Sequence, residues 1–481
     1  MRVASAGPAM PLLVALTLGL SAAAALFLGV QSSVRWTVYL LFVPLTFLAL
    51  FMSRSSAVRA FALFVPFLLL EDTVIAYRQV LGVGISVSQP VALVVLASVA
   101  LRDRTFPRLG RYGVLWLLLF AIGIVAMVPS WGSADFALAV DRFRRSYLEA
   151  LVYFVLGIAI ARTPLDARRL LWVFIGVGGV FAALHFQFVL TGEEFLTPPK
   201  SEADPMLHWR YASPLGNPNN LACYYAMFMP GALLIGVTER RRLVSLVAFA
   251  VAVAMAGSLV LTASRGGLLA TGFSLLLMIA LLGQGARGRG RVLPVLLTAL
   301  IAAYLLLTTV FADQLTQSVE RYQERGLEDV RTELWRHTIG IIAENPFGLG
   351  LAHTHYMEAL TSRTLGFLYA SPHNIYLEFL TSIGVQGFLV VVLLLGRVIR
   401  AGMRALPIAG RTNRVTLASL LTAMMAMLAA GMTEPVYFTG VKLNHVFYGV
   451  VGGLVGLVAW LEAAAPSVTA VPASPPAAPP T

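Results

Sequence analysis

Apolar runs long enough to cross a bilayer alternate with short arginine-bearing stretches along almost the whole chain. A crossing helix needs about 20 apolar residues. The runs at 10–30, 36–53, 60–76, 88–101, 112–128, 148–161, 170–190, 219–238, 243–262, 266–283, 293–312, 374–396, 415–432 and 444–462 approach that length. The pattern predicts an all-α polytopic integral membrane protein with about 12–14 transmembrane helices. The count is a range because 60–76 and 88–101 are short and interrupted by Glu71, Asp72, Arg78 and Pro90, which suits a re-entrant segment.

Arginine placement orients these helices. The loops Arg54–Arg59, Arg102–Arg111, Arg162–Arg169, Glu239–Arg242, Arg287–Arg291 and Arg397–Arg414 fall on one side, and positive charge marks that side as cytoplasmic. Both termini are then cytoplasmic. Only one long hydrophilic stretch interrupts the pattern, and it lies on the opposite, periplasmic side. The expected organisation is a helical bundle over 1–312, a large periplasmic loop over 313–373, a second bundle over 374–462 and a disordered cytoplasmic Ala/Pro/Ser/Val tail over 463–481. Helix-like spacing of Leu327, Val330, Leu334, Ile339 and Ile342 gives the large loop helices of its own. No internal repeat is evident, which argues against a transporter built from inverted halves.

Composition fits this reading: 58% of residues are hydrophobic and only 12% charged, far from a soluble domain. The net charge of +12 could suggest nucleic acid, but loop arginines facing anionic lipid account for it, so no nucleic-acid partner is expected. Cys223 is the sole cysteine, so no intrachain disulfide can form. The first run, Met10–Val30, lacks a clear cleavage site and reads as a retained helix.

A second set of arginines lies on the side the positive-inside rule disfavours: Arg142, Arg144, Arg145, Arg210, Arg265, Arg331 and Arg336. Guanidinium groups there ask for an anion, and a phosphate or diphosphate fits their bidentate geometry. Arg142 and Arg145 are three apart on one helical face, able to meet one substrate anion or a phospholipid headgroup. Arg210 precedes the turn Gly216-Asn217-Pro218-Asn219-Asn220, in which Asn219 or Asn220 can cap the next span. Arg265 sits in Thr262-Ala263-Ser264-Arg265-Gly266-Gly267, between two spans with almost no loop; its partner is a substrate anion or an internal carboxylate. Arg331 and Trp335 share a helical face beside Arg336 and His337, a combination suited to sugar or phosphate, or else simply a solvated amphipathic helix. His373-Asn374, followed by Gly384-Val385-Gln386-Gly387, lies where the long loop meets a span. The imidazole can serve as a general base, or the pair can merely cap the helix. His353, His355 and Glu358, or His337, have weakly metal-like spacing, and no metal is expected.

The order of these motifs resembles the O-antigen ligase and polymerase superfamily. The resemblance rests on Arg210 before Gly-Asn-Pro-Asn-Asn, on Ser264-Arg265-Gly266-Gly267, on Arg331 and Trp335 before Pro346 and Gly348-Leu349-Gly350, and on His373-Asn374 nine residues before Gly384-x-x-Gly387. It covers about residues 205–390. It implies a GT-C-like fold and glycan transfer from undecaprenyl diphosphate to a sugar hydroxyl, with no metal or cofactor. Arg210 and Arg265 match the family's diphosphate-binding arginines, with Arg142 and Arg145 as helpers. His373 matches the loop histidine, with His337 as second choice. Arg331, Trp335, Arg336 and Asn374 would touch glycan or lid. The expected protein is an inner-membrane O-antigen ligase that joins a lipid-linked O-antigen to lipid A-core at the periplasmic face, among membrane lipids. The same donor would serve an O-antigen polymerase or a protein O-oligosaccharyltransferase. A lipid-linked glycan transporter is the alternative of another class.

Overall fold

The computed structural model describes residues 48, 50–70, 78–80, 83–85, 88–103, 107, 109–193, 211, 213–282, 309, 316, 330–363, 371–434 and 441–464. In chain order the described elements are helix α1 (Ser56–Leu70), a hairpin of β1 (Arg78–Val80) and β2 (Val83–Ile85), α2 (Ser88–Ala97), α3 (Arg111–Val125), α4 (Phe136–Phe143), α5 (Glu149–Ile160), α6 (Pro164–Thr191), α7 (Pro218–Thr238), α8 (Arg242–Leu261), α9 (Arg265–Leu282), α10 (Val330–Glu344), α11 (His353–Thr361), α12 (Ile375–Ala405), α13 (Arg411–Ala430) and α14 (Val441–Ala464). The protein is a helical polytopic membrane protein. Among the described residues, seven helices are long and apolar enough to cross a membrane by length and composition, and three shorter apolar helices accompany them.

The expected span at 10–30 lies outside the described residues, as do all of 293–312 except Thr309 and most of 36–53; each of the others falls on a helix. The differences are at the ends. The helix expected at 170–190 begins at Pro164, because the Thr163 side chain accepts the Asp166 N–H and Pro164 occupies the first turn. Similarly, α12 runs past its apolar stretch to Ala405 and carries Arg397, Arg400 and Arg404 on its last turns. Helical hydrogen bonding does not stop where the hydrophobic core of the bilayer does. The segment expected as an outer loop at 129–147 contains α4, which continues through a π-helical turn at Arg144–Leu148 directly into α5. Of the large loop, 316, 330–363 and 371–373 are described and include α10 and α11. Residues 317–329 and the tail after Ala464 lie outside the described residues.

The bundle is organised around α7, which packs against α6, α8, α9 and α13 and is buried along nearly its whole length. Its Asn217 side chain caps it by accepting the Asn219 N–H at 2.8 Å, so the cap lies two residues before Asn219 and three before Asn220. Pro218 explains the shift: at the first helical position its missing N–H costs nothing. A second tight pair, α5 against α14, depends on glycine. A Cβ on Gly452 would sit 2.1 Å from the Phe154 carbonyl, and one on Gly157 would sit 2.4 Å from the Gly449 carbonyl. Such backbone approach is how helices associate where lipid tails offer no hydrophobic drive. Gly452→Leu should therefore separate α5 from α14, destabilising the protein by about 1–3 kcal/mol or more. A thermal unfolding midpoint equal to wild type in detergent would contradict this.

Candidate functional site

The turn that follows α13, Gly431–Glu434, gathers side chains from three distant parts of the sequence. Ile375 N–H donates to the Gly431 carbonyl at 2.8 Å, and Asn374 Nδ2 donates to the Met432 carbonyl at 2.9 Å. Glu434 Oε1 receives Arg331 Nη2 of α10 at 3.1 Å. A Cβ on Gly266, the residue after Arg265, would meet Thr433 Oγ1 at 2.1 Å and approach Glu434 Oε1 at 3.8 Å. Only glycine lets the start of α9 lie this close to the turn. The motifs around Arg265, Arg331 and His373 thus converge on one corner of the bundle.

His373 stands in an unusual backbone state. Its φ is +52°, a left-handed conformation uncommon for any residue but glycine. Its N–H donates to Ser371 Oγ, and the carbonyl of the intervening Pro372 accepts from Trp335 Nε1 at 2.9 Å. Asn374 Oδ1 caps α12 by accepting the N–H groups of Tyr376 and Leu377 at 2.9 and 3.2 Å. Asn374 alone performs the capping role foreseen for the pair. His373 precedes the cap, half-buried, held in a strained conformation between two anchored neighbours. Strain of this kind persists only where the surroundings over-determine it.

Arg265 opens α9 and is exposed, with Ser264 Oγ accepting the Gly267 N–H beneath it. Helix starts favour anions, because backbone N–H groups are left over there. Arg210 lies outside the described residues. Its neighbour Tyr211 is buried and stacks on His185 and Phe188 at ring separations of 5.2 and 5.5 Å. On α10, Leu334 and Ile341 face Tyr356 and Leu360 of α11 in a small core of their own. Thr338 Oγ1 and Tyr356 OH, 2.8 Å apart, seal this helix pair, and burial pushes the Tyr356 phenol up to about 12. Arg331 and Trp335 lie on the side of α10 that meets Glu434 and Pro372. Arg336 is exposed, and His337 lies 3.9 Å from Glu333 on its own helix.

Arg142 and Arg145 each meet a carboxylate of the protein. Arg145 Nε meets Asp141 Oδ2 at 2.8 Å. Arg142 Nη2 meets Glu378 Oε1 at 2.6 Å, and its Nη1 donates to the Leu351 carbonyl at 3.1 Å. The π-helical turn that begins at Arg144 disrupts the regular spacing behind the expected shared face. Arg144 binds Asp141 and Glu149, and the other carboxylate oxygen of Glu149 lies 2.8 Å from His445 Nε2. His353, at the start of α11, is held below its ordinary pKa by burial first and by the nearby Arg142 charge second. His355 Nε2 lies 3.0 Å from Ser130 Oγ. Among the described residues, no three His, Cys, Asp or Glu side chains come together as metal ligands could.

Two glycine motifs that read as separate in sequence form one structure. At Gly384 α12 breaks, with φ 69° and ψ −176°. The break frees the Thr381 and Ser382 carbonyls, and the loop after α10 takes them up. Leu349 N–H donates to Thr381 at 2.6 Å and Gly350 N–H to Ser382 at 3.2 Å. In return, Val385 N–H donates to the Pro346 carbonyl and Gln386 Nε2 to the Phe347 carbonyl, each at 2.9 Å. Non-helical backbone at membrane depth survives only when protein satisfies it in this way. A Cβ on Gly348, where φ is +89°, would lie 2.6 Å from Gly384 N. Gly348→Ala should therefore undock the loop, read as faster proteolysis between α10 and α11; unchanged protection would refute the docking role.

Sequence reasoning missed the acidic partners Glu434, Glu378, Asp141 and Glu149. Their signal was present: Glu149 and Glu378 sit in the first turns of apolar helices, where an acid is costly without a cation.

Comparison with known proteins covers the same motifs. No curated protein matches the chain. Residues 226–392 match the family described as O-antigen ligase, a stretch that holds Arg265, Arg331, Trp335, His373, Asn374 and both halves of the glycine lock and leaves out Arg142, Arg145 and Arg210. Over that stretch, about a third of its length, the chain is similar to the O-antigen ligase family.

Proposed function

We propose that this protein is an O-antigen ligase of the bacterial inner membrane, with a GT-C-like fold and a site facing the periplasm. Similarity to the O-antigen ligase family over 226–392 supports the general part, a glycosyltransferase-like enzyme acting on lipid-linked glycans. The donor proposed is O-polysaccharide on undecaprenyl diphosphate, and the acceptor is a sugar hydroxyl of lipid A-core. The observation that supports the site assignment is that Arg331, Gly266 beside Arg265 and Asn374 beside His373 all meet the Gly431–Glu434 turn, while Trp335 holds the Pro372 carbonyl.

In this reading Arg265 and Arg210 hold the diphosphate. The acceptor hydroxyl attacks the anomeric carbon as His373 takes its proton. The bond from that carbon to the diphosphate oxygen breaks, its electron pair leaves with the diphosphate, and the carbon inverts. Arginines stabilise the departing charge, a role a metal could otherwise fill. Trp335 and Arg331 shape the glycan side, with Arg336 and His337 further along α10. Arg142 acts through Glu378 and Leu351, as a positioning residue for α12.

Reconstitution with a polyprenyl diphosphate-linked glycan tests the acceptor. Product should form with lipid A-core. Product formed only on a second lipid-linked glycan would make the protein a polymerase, and product only on Ser or Thr of a protein would make it a protein glycosyltransferase.

A further inference from the structure

We infer that an apolar groove between α12 and α13 receives the polyprenyl chain of the lipid-linked donor. The groove encloses about 180 Å³ and runs from Ile375 and Tyr376 down α12 to Ile399; Met427 and Leu428 of α13 form its other wall, with Phe447 of α14 also lining it. The occupant follows from three observations. The groove starts at the residue after Asn374, two positions from His373, so a lipid whose diphosphate sits at that corner has its chain directed into the groove. The lining is apolar, rich in aromatic and branched side chains such as Phe379, Phe388 and Val391, which suits a methyl-branched unsaturated chain. The third observation is Gly396. A glycine inside a helix is unfavourable relative to alanine. Among the described residues a Cβ there would meet no atom within 4 Å, so no described neighbour requires this glycine. It does keep the groove open, as a ligand would require.

This assignment rests on the donor proposed above. The test uses the full-length protein in proteoliposomes and a polyprenyl diphosphate bearing a photoreactive diazirine along its chain. Crosslinks should map to 388–399 and to Phe447, and undecaprenyl diphosphate should compete them away. Gly396→Phe fills space that is open among the described residues, and it should lower the crosslink yield about tenfold, as expected from losing the burial of a few methylene groups. Leu393→Phe, at an exposed position on α12 outside the groove lining, should leave the yield unchanged. Crosslinks on other helices would overturn the assignment. So would equal losses in both variants, or competition by lipid A and not by undecaprenyl diphosphate, which would give the groove to the acceptor. A wild-type protein labelled in the groove but unable to transfer glycan would leave the groove standing and reject the ligase reading. Transfer without groove labelling would do the reverse.

Discussion

Replacing His373 with alanine should lower the rate of glycan transfer by about 10²–10⁴-fold, the usual contribution of a positioned general base, while binding of the lipid diphosphate stays within about twofold of wild type. The separation follows from the division of labour at the site. The arginines carry the affinity for the anion, and the imidazole acts on a proton that moves only in the transition state. Because His373 holds a left-handed backbone, with φ +52°, the alanine variant could also lose activity through backbone strain. Asparagine tolerates that conformation better than most residues. His373→Asn should therefore keep the wild-type unfolding midpoint and still lose transfer. Undiminished transfer by His373→Asn would remove His373 from the chemistry and move attention to His337.

Arg142→Ala should be the most destabilising single change outside the glycine contacts. Glu378 is 1% exposed, and Arg142 is the cation recorded against its carboxylate. Removing one partner of a buried ion pair strands the other charge, at a cost of about 3–5 kcal/mol. The same change releases the Leu351 carbonyl, which helps to hold the loop inserted at the break of α12. The unfolding midpoint should fall by roughly 5–10 °C at the few degrees per kcal/mol seen for larger domains. Arg142→Ala combined with Glu378→Gln should recover most of that loss, because the stranded charge is gone. Arg142→Lys should recover only part, since lysine cannot bridge Leu351 and Glu378 with a planar fork. A variant with unchanged midpoint and a raised KM for the donor would instead make Arg142 a substrate ligand.

The bundle was legible because its signal is long and repetitive. Spans of about 20 apolar residues are hard to mistake, and α6, α7, α8, α12, α13 and α14 fall where the hydropathy places them. The ends were less legible, because caps such as Thr163 and Asn217 decide them locally. At the site, the convergence of three motifs was readable only through family resemblance, since nothing in spacing alone brings 265, 331 and 373 together. The arginines were legible as charges seeking anions. Arg144 and Arg145 take the nearby Asp141, but Arg331 and Arg142 take Glu434 and Glu378, 103 and 236 residues away, and no local pattern encodes those distant pairs. The glycines of Gly348-Leu349-Gly350 and Gly384-x-x-Gly387 suggested a loop and close helix packing. Their mutual hydrogen bonding depends on a broken helix that hydropathy does not register.

The central claim is that the site transfers a glycan from a polyprenyl diphosphate by means of its own side chains. The most direct measurement is a single-turnover reaction of the purified protein in proteoliposomes, with lipid-linked glycan, lipid A-core and excess chelator, following both lipid products. The account predicts one undecaprenyl diphosphate released for each glycan joined to lipid A-core, with the chelator having no effect. Movement of intact lipid-linked glycan across the bilayer, with no diphosphate released, would contradict it and identify a transporter.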